Sequence, residues 1–169
     1  MEPIVNKVAQ SPLITLDLEE ILNFNFEIKN IDIKDFLFKE LIIIEKEFRE
    51  QLKSIDWQAY KNAIVAIQCS ADAIIPIWVY MLFATYLRTN SLFFAITKST
   101  SIKNMYFISQ LSQFNYAMCK DKKVVVKGCG KMNIEPIIYG EFTRNLLPFC
   151  NSIMYGEPCS TVPIYKTKR

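Results

Sequence analysis

The stretch Ala63-Ile64-Val65-Ala66-Ile67-Gln68-Cys69, AIVAIQC, is a run of small and β-branched apolar residues that ends in a glutamine and a cysteine. A short continuous apolar run is typical of a strand that is covered on both faces. Pro76 follows, and proline is favoured in the first turn of a helix. The apolar segment from Ile74 to Leu87 is 14 residues long. It is shorter than the about 20 residues that span a bilayer, and it predicts a buried helix.

The same order of features recurs 60 residues later. A strand at Val124–Val126 leads into Gly128-Cys129-Gly130, a helix begins at Pro136, and a final strand runs from Ser152 to Tyr155. Residues 91–96 predict a strand that closes the first copy, and residues 102–114 predict a crossover helix. We therefore infer two βαβ repeats offset by 60 residues, because strands that alternate with helices form parallel sheets.

The predicted fold class is α/β, with one mainly parallel sheet, helices on both faces, and an added strand and amphipathic helix at the N-terminus. Residues 13–18 alternate and predict the strand, residues 23–30 predict a loop, and residues 32–54 carry apolar side chains at helical spacing. Pro158 and Pro163 predict that Cys159-Ser160-Thr161 forms a fixed loop. We expect a single domain that comprises residues 1–60, a first repeat over 61–100, the crossover helix over 101–120, and the second repeat with a C-terminal loop over 121–169.

Cysteine and serine follow the predicted strands at a regular interval. Counting by 30 from Cys69 gives Ser99, Cys129 and Cys159. Ligands of open α/β sheets bind outside the carboxyl ends of the strands, where helix N-termini also lower thiol pKa values. The sequence therefore predicts a metal site of Cys69, Cys129, Cys159 and Asp72, with ligand-binding residues Ser70, Gly128, Gly130, Ser160 and Thr161. Lys127, Glu135 and Glu157 are further polar candidates. The competing interpretation is that each cysteine packs as a small hydrophobic residue.

Composition excludes several classes of function. The chain of 169 residues has a net charge of +3, which predicts neither nucleic-acid binding nor a polybasic membrane anchor. It contains no histidine, so Ser-His-Asp, Cys-His and His-metal sites are excluded. The number of cysteines is five, and the first ten residues lack the apolar core of a secretion signal. We expect a cytoplasmic protein with reduced thiols.

Four motifs carry a resemblance to a known family: LITLDL at 13–18, CSADAI at 69–74, KGCG at 127–130 and GEPCSTVPIYK at 156–166. The chain resembles an uncharacterised bacterial family catalogued as domain of unknown function 2480. The resemblance covers nearly the whole chain. Genes of this family often lie beside genes for sulfur mobilisation and iron–sulfur assembly. The resemblance therefore implies a protein partner in sulfur or iron–sulfur metabolism.

Three functions stay open at this point. The first is a thiolate site that binds zinc or an iron–sulfur intermediate, with a carboxylate or water completing the ligand set. The second is a thiol enzyme or sulfur carrier, in which a helix N-terminus or Lys127 activates one cysteine. The third is a non-catalytic interaction or anion-binding protein, with a homo-oligomer as one form. Whether the chain is an enzyme is open under all three.

Overall fold

The computed structural model describes residues 13–128, 130–157 and 160–167 of the chain. The strands of this described part are β1 (Leu13–Leu16), β2 (Glu27–Asp32), β3 (Ala63–Gln68), β4 (Phe93–Ile96), β5 (Lys123–Val126), β6 (Ser152–Glu157) and β7 (Ser160–Lys166). Its helices are α1 (Leu18–Ile21), α2 (Glu45–Ser54), α3 (Ile77–Asn90), α4 (Ile102–Gln113) and α5 (Pro136–Leu146). Within these ranges no helix has both the length and the apolar character needed to cross a membrane.

The chain divides into two compact units. The first unit comprises the described residues up to Asn23 and those from Phe107 onward, and the second unit comprises Phe24–Tyr106. Each unit has its own sheet, where the sequence predicted a single one. The first sheet has the order β1-β5-β6-β7, and the second has the order β2-β3-β4. That all these segments form one domain stays a prediction.

Parallel pairing dominates both sheets. In the first, β5 pairs in parallel with both β1 and β6, and only β7 runs antiparallel. In the second, β3 pairs in parallel with both β2 and β4. The central strands β3 and β5 carry the apolar runs of the sequence, and the apolar side chains of these runs are buried. The predicted α/β class with mainly parallel sheets flanked by helices is thus confirmed.

The core of the second unit is built around an aromatic cluster. The ring of Phe48 from α2 meets those of Phe36, Trp78 and Phe83 in edge-to-face contacts, with centroids 5.4–5.7 Å apart. Phe48 and Phe83 are completely buried, and the apolar face of β3 lies in the same cluster. Such rings bury a large apolar area, and their edge-to-face geometry adds a further favourable contribution.

The predicted helix over residues 32–54 is wrong in its first half. Asp32 does cap a helical turn, but this is a short 3-10 turn over Ile33–Phe36. Lys39 and Glu40 then adopt positive φ angles of 50° and 59°, which an α-helix does not accommodate. The α-helix runs only from Glu45 to Ser54, where Phe48 and Leu52 are buried as predicted.

Two segments predicted as loops are edge strands. Residues 27–30 belong to β2. This strand has exposed polar residues and therefore lacks the apolar run that predicts a buried strand. Residues 160–166 form β7, the outer strand of the first sheet, paired with β6 from Ser152↔Lys166 to Glu157↔Ser160. Pro163 is accommodated because an edge strand leaves one row of backbone groups unpaired. Cys159 itself lies outside the described residues.

The two βαβ segments are present, one in each unit. The strand, helix and strand begin at residues 63, 77 and 93 in the second unit, and at residues 123, 136 and 152 in the first. The offset is thus 60 residues at the first strand and 59 at the helix. Buried helix residues follow the shorter offset, with Val79, Phe83 and Leu87 matching Ile138, Phe142 and Leu146. A uniform offset of 60 is not confirmed, and the repeat stays a prediction.

Replacing Phe83 by alanine is expected to destabilise the protein by about 3–5 kcal/mol, because it leaves a cavity among rings that cannot collapse onto it. Met81→Ala, two residues before Phe83 on the exposed face of α3 with 65% of the residue accessible, is the matched control and is expected to cost less than about 0.5 kcal/mol. Urea unfolding of both variants measures the difference. Equal losses would contradict the assignment of Phe83 to the core.

Candidate functional site

An ion pair joins the ends of β1 and β5 in the first unit. Leu16 and Val126 are paired in parallel register, so the next residues, Asp17 and Lys127, emerge side by side. The backbone N–H of Lys127 donates to the carbonyl of Leu16 at 2.9 Å. The Lys127 ammonium donates to Asp17 Oδ2 at 2.6 Å, and the Asp17 side chain is 12% accessible. This bond lowers the pKa of Asp17 and raises the pKa of Lys127.

A second carboxylate, Glu19, holds the other end of the loop after β5. Asp17 is the N-cap of α1 and accepts the backbone N–H of Glu19 at 2.9 Å. The Glu19 carboxylate in turn accepts the backbone N–H of Met132. A Cβ on Gly130 would lie 2.3 Å from Glu19 Oε1. Glycine at this position therefore allows the carboxylate to reach the loop, and Asp17 and Glu19 together hold residues 127–132 from both sides.

Tyr155 of β6 covers the start of the same loop. Its hydroxyl donates to the carbonyl of Gly128 at 3.2 Å. A Cβ on Gly128 would lie 2.9 Å from the Tyr155 ring, so a larger residue would displace the ring. Tyr139 of α5 meets Tyr155 edge-to-face with centroids 5.8 Å apart, and burial raises the pKa of Tyr139. The two rings fix one wall of the space beside Gly128.

The β6–β7 hairpin forms the adjoining part of this edge. Gly156 has a φ of +126°, and a Cβ there would lie 2.5 Å from the carbonyl oxygen of Ser160, so only glycine fits. The Thr161 hydroxyl contacts Met154 Sδ at 3.7 Å. Glu157 is half-buried, and its Oε1 atom is buried without a hydrogen-bond partner among the described residues. A buried acceptor of this kind requires a donor or a cation to offset its desolvation.

A cleft opens beside the loop. Its volume is about 480 Å³, within the range of small-molecule sites. Gly128 and Gly130 line it together with Tyr139 and Tyr155, and the start of α5 contributes Pro136. Cys129 lies between the two glycines in sequence but outside the described residues. The cleft therefore reaches the two glycines that flank Cys129 in sequence.

The second unit places Cys69 in a related setting. The Asp32 carboxylate at the end of β2 accepts the backbone N–H of Ser70 at 3.0 Å. Burial acts against ionisation of Asp32, but hydrogen bonds from Ser70 and Lys34 outweigh it, and the carboxyl pKa lies below its ordinary value. The Cys69 thiol donates to the carbonyl of Ala71 at 3.5 Å. Ser70 and Asp72 are exposed.

The predicted site residues thus fall into two groups. Cys69, Ser70 and Asp72 belong to the second unit, while Gly128, Gly130, Ser160 and Thr161 belong to the first. Within the described ranges, no group of three cysteine, aspartate or glutamate residues is placed to hold a metal ion. Cys129 and Cys159 lie outside those ranges. The meeting of Cys69, Cys129 and Cys159 stays a prediction.

Buried thiols account for two further cysteines. Cys119 is completely buried and Cys150 is 5% accessible. The Cys150 thiol donates to the carbonyl of Leu146 at 3.2 Å. Burial raises the pKa of both thiols, which keeps them protonated and unreactive at neutral pH. Both fit the structural role expected of packed cysteines.

Sequence reasoning missed Asp17, Glu19, Tyr139 and Tyr155 as parts of this edge. One signal for the first two was present: Asp17 with Glu20 three residues later has the spacing of a helix N-terminus, which marks a strand-to-helix turn. The tyrosines had no local signal, because their contacts with Gly128 and with each other depend on the pairing of β5 with β6.

Asp17→Asn is expected to lower the melting temperature, because asparagine keeps the helix cap but loses the charge that pairs with Lys127. Asp17→Ala should cost about 1 kcal/mol more, since it also removes the cap. The lowered pKa of Asp17 sets the pH dependence: the pair contributes fully above the ordinary carboxyl value of about 3.9, and this contribution is lost as the pH falls through the folded-state pKa.

Thermal unfolding of wild type and Asp17→Asn between pH 2 and pH 9 measures this effect. The difference in melting temperature should be constant above about pH 5 and should shrink in acid. A difference that stays the same at all of these pH values would show that the charge of Asp17 contributes nothing.

Comparison with other proteins places the chain in a family. Searches of curated proteins and of solved structures found no match. A sequence model of one protein family matches residues 2–167, which is nearly the whole chain. Two motifs of the earlier resemblance, LITLDL and KGCG, meet in the Asp17–Lys127 ion pair. The chain belongs to the family described as protein of unknown function (DUF2480).

Proposed function

We propose that the edge of the first sheet binds a thiophilic divalent cation, zinc or ferrous iron, through the thiolates of Cys129 and Cys159 and the carboxylate of Glu157. Cys129 follows β5 by three residues, and Cys159 follows the β6 residue Tyr155 by four. Val126 and Tyr155 are paired in parallel register, so both segments leave the sheet at the same edge. Two thiolates, one carboxylate and a water form a ligand set that zinc accepts.

The buried oxygen of Glu157 is the observation that carries this proposal. Glu157 Oε1 is buried and has no hydrogen-bond partner among the described residues. An unpaired buried carboxylate oxygen is costly, and a bound cation offsets that cost. Glu157 is the last described residue before Cys159 in sequence. It is therefore the carboxylate best placed along the chain to join a site with that cysteine.

The charges around the loop favour a cation over an anion. The charges of Glu20 and Glu157 both raise the pKa of Lys127, and Asp17 pairs with Lys127 directly. Glu19 already accepts the backbone N–H of Met132. An incoming phosphate would compete with this internal carboxylate for the loop. The anion-binding alternative is therefore disfavoured at residues 128–130, despite its glycines.

This proposal assigns the site to the first unit and requires no residue of the second. Cys69 and Asp72 are then ligands only under the wider three-cysteine hypothesis. A role with an iron–sulfur intermediate, and a protein partner in sulfur or iron–sulfur metabolism, are proposals that rest on the gene neighbourhood implied by the family resemblance. Metal binding is compatible with either role, because thiolate ligands serve zinc and iron–sulfur centres alike.

Metal analysis of protein purified without oxygen tests the proposal. About one zinc or iron per chain is expected. Changes outside the ligand set lower metal affinity by about 10–100-fold. Replacement of a ligand by Cys129→Ser, Cys159→Ser or Glu157→Gln should lower it further. Cys69→Ser is the matched control in the second unit and should change nothing. Loss of metal in Cys69→Ser would favour the three-cysteine site instead. Metal-free wild type, or unchanged content in the Cys129→Ser Cys159→Ser double variant, would refute the proposal.

A second candidate function is thiol chemistry at Cys129, which the cleft beside Gly128 and Gly130 favours. Because Lys127 is paired with Asp17, its charge is partly neutralised and activates a nearby thiol less. Asp17→Asn should free that charge and lower the thiol pKa. The rate of alkylation by iodoacetamide across pH measures the thiol pKa in wild type and in Asp17→Asn. Cys129→Ser is the control that identifies the labelled thiol. This candidate predicts half-maximal reaction below about pH 8 and faster labelling in Asp17→Asn; an unperturbed value near 8.5 in both forms would exclude it.

A further inference from the structure

An apolar cavity lies between α5 and the β6–β7 hairpin in the first unit. Its volume is about 270 Å³, compared with the about 150 Å³ of a dry cavity that holds a benzene ring. Val126, Ile153, Met154 and Ile164 line it from the sheet. Val126 and Ile153 are buried, whereas Ile164 is 52% exposed, so the space opens to solvent. The helix side is formed by Tyr139, Gly140 and Thr143. The space is large enough for an apolar group of about six carbon atoms.

Gly140 lines the helix side of this space and is itself exposed. It lies in the interior of α5, where glycine is less favourable than alanine by about 1 kcal/mol. A Cβ at Gly140 would meet no atom within 4 Å, so close packing does not require glycine there. The other three glycines each have a local reason: Gly128 the Tyr155 ring, Gly130 the Glu19 carboxylate and Gly156 its positive φ. At Gly140, the helix therefore contributes no side chain to the wall of the cavity.

The cavity and the cleft beside Gly128 and Gly130 adjoin one another. Tyr139 and Tyr155 line both of them, and their edge-to-face ring pair stands where the two spaces meet. A ligand with its apolar end in the cavity would therefore direct its polar end into the cleft beside Gly128 and Gly130. An anionic end would be repelled by Glu19 and Asp17. A cationic end would find both carboxylates already engaged, Glu19 with the Met132 N–H and Asp17 with Lys127. The polar end that fits is therefore uncharged.

We propose that the first unit binds a small ligand whose apolar chain of about six carbons occupies this cavity and whose uncharged polar end faces the cleft. The inference goes beyond the proposed cation site and does not depend on it. Within the described part of the chain, the cavity is lined by residues of β5, α5, β6 and β7. The probe for testing it is hexanamide, with butanamide as its shorter homologue.

Methyl NMR titration of the full chain with hexanamide tests the proposal. Saturable shifts are expected at the methyl groups of Ile153, Met154 and Ile164, and the exposed methyl group of Met81 in the second unit should not move. Because each buried CH₂ contributes about fourfold in affinity, hexanamide should bind about 16-fold more tightly than butanamide. Absence of saturable shifts, or equal affinities for the two amides, would overturn the proposal.

Filling the cavity provides the matched variants. Gly140→Ala should raise the melting temperature by about 2–4 °C, because it adds helix propensity in open space, and should leave hexanamide binding largely intact. Gly140→Leu should be folded and should lose at least tenfold in affinity. Unchanged affinity in Gly140→Leu would overturn the proposal. Hexanamide binding should be the same with and without EDTA, so a failure of the metal proposal and a failure of this one are separable.

Discussion

The loop after β5 depends on the ion pair between Asp17 and Lys127, which joins two residues 110 positions apart. Its effect reaches beyond the two charges, because Asp17 also caps α1 and α1 carries Glu19 to the backbone of Met132. One short segment after β1 therefore holds both ends of the loop that contains Cys129. Closing a link of this length costs chain entropy, and the β1–β5 pairing beneath it offsets that cost.

The rules that succeeded on this sequence are those that act within one element. The apolar runs at β3 and β5 predict fully covered strands, and the structure buries both. The helices α3 and α5 begin within a residue of Pro76 and Pro136, as the role of proline in a first helical turn predicts. The edge strands were not predicted, because an edge strand is defined by the strand it pairs with and not by its side-chain pattern. In this chain β2 is mostly polar and β7 contains Pro163.

The division into two sheets had no local signal. An apolar strand shows that both of its faces are covered, but it does not show which strand lies beside it. The neighbour of β1 is β5, while the neighbours of β3 are β2 and β4. The first unit is therefore formed from two separate parts of the chain, and Cys69 follows a strand of the other sheet. Equal spacing of Cys69, Cys129 and Cys159 along the chain is thus no measure of their separation in space.

The two units solve one structural problem with different chemistry. In each, an aspartate at the end of a strand caps a helical turn and binds the segment after the neighbouring strand: Asp32 binds the backbone of Ser70, and Asp17 binds the side chain of Lys127. A bond to backbone fixes the Cys69 segment by shape alone. The bond from Asp17 to the ammonium group of Lys127 also brings a positive charge to this edge, and Asp17 partly neutralises that charge. The cleft, the apolar cavity that Gly140 lines and the Glu157 oxygen, which has no partner among the described residues, all lie in the same unit as this charge. The first unit is therefore where we expect ligand chemistry, and the second has the features of a packed scaffold.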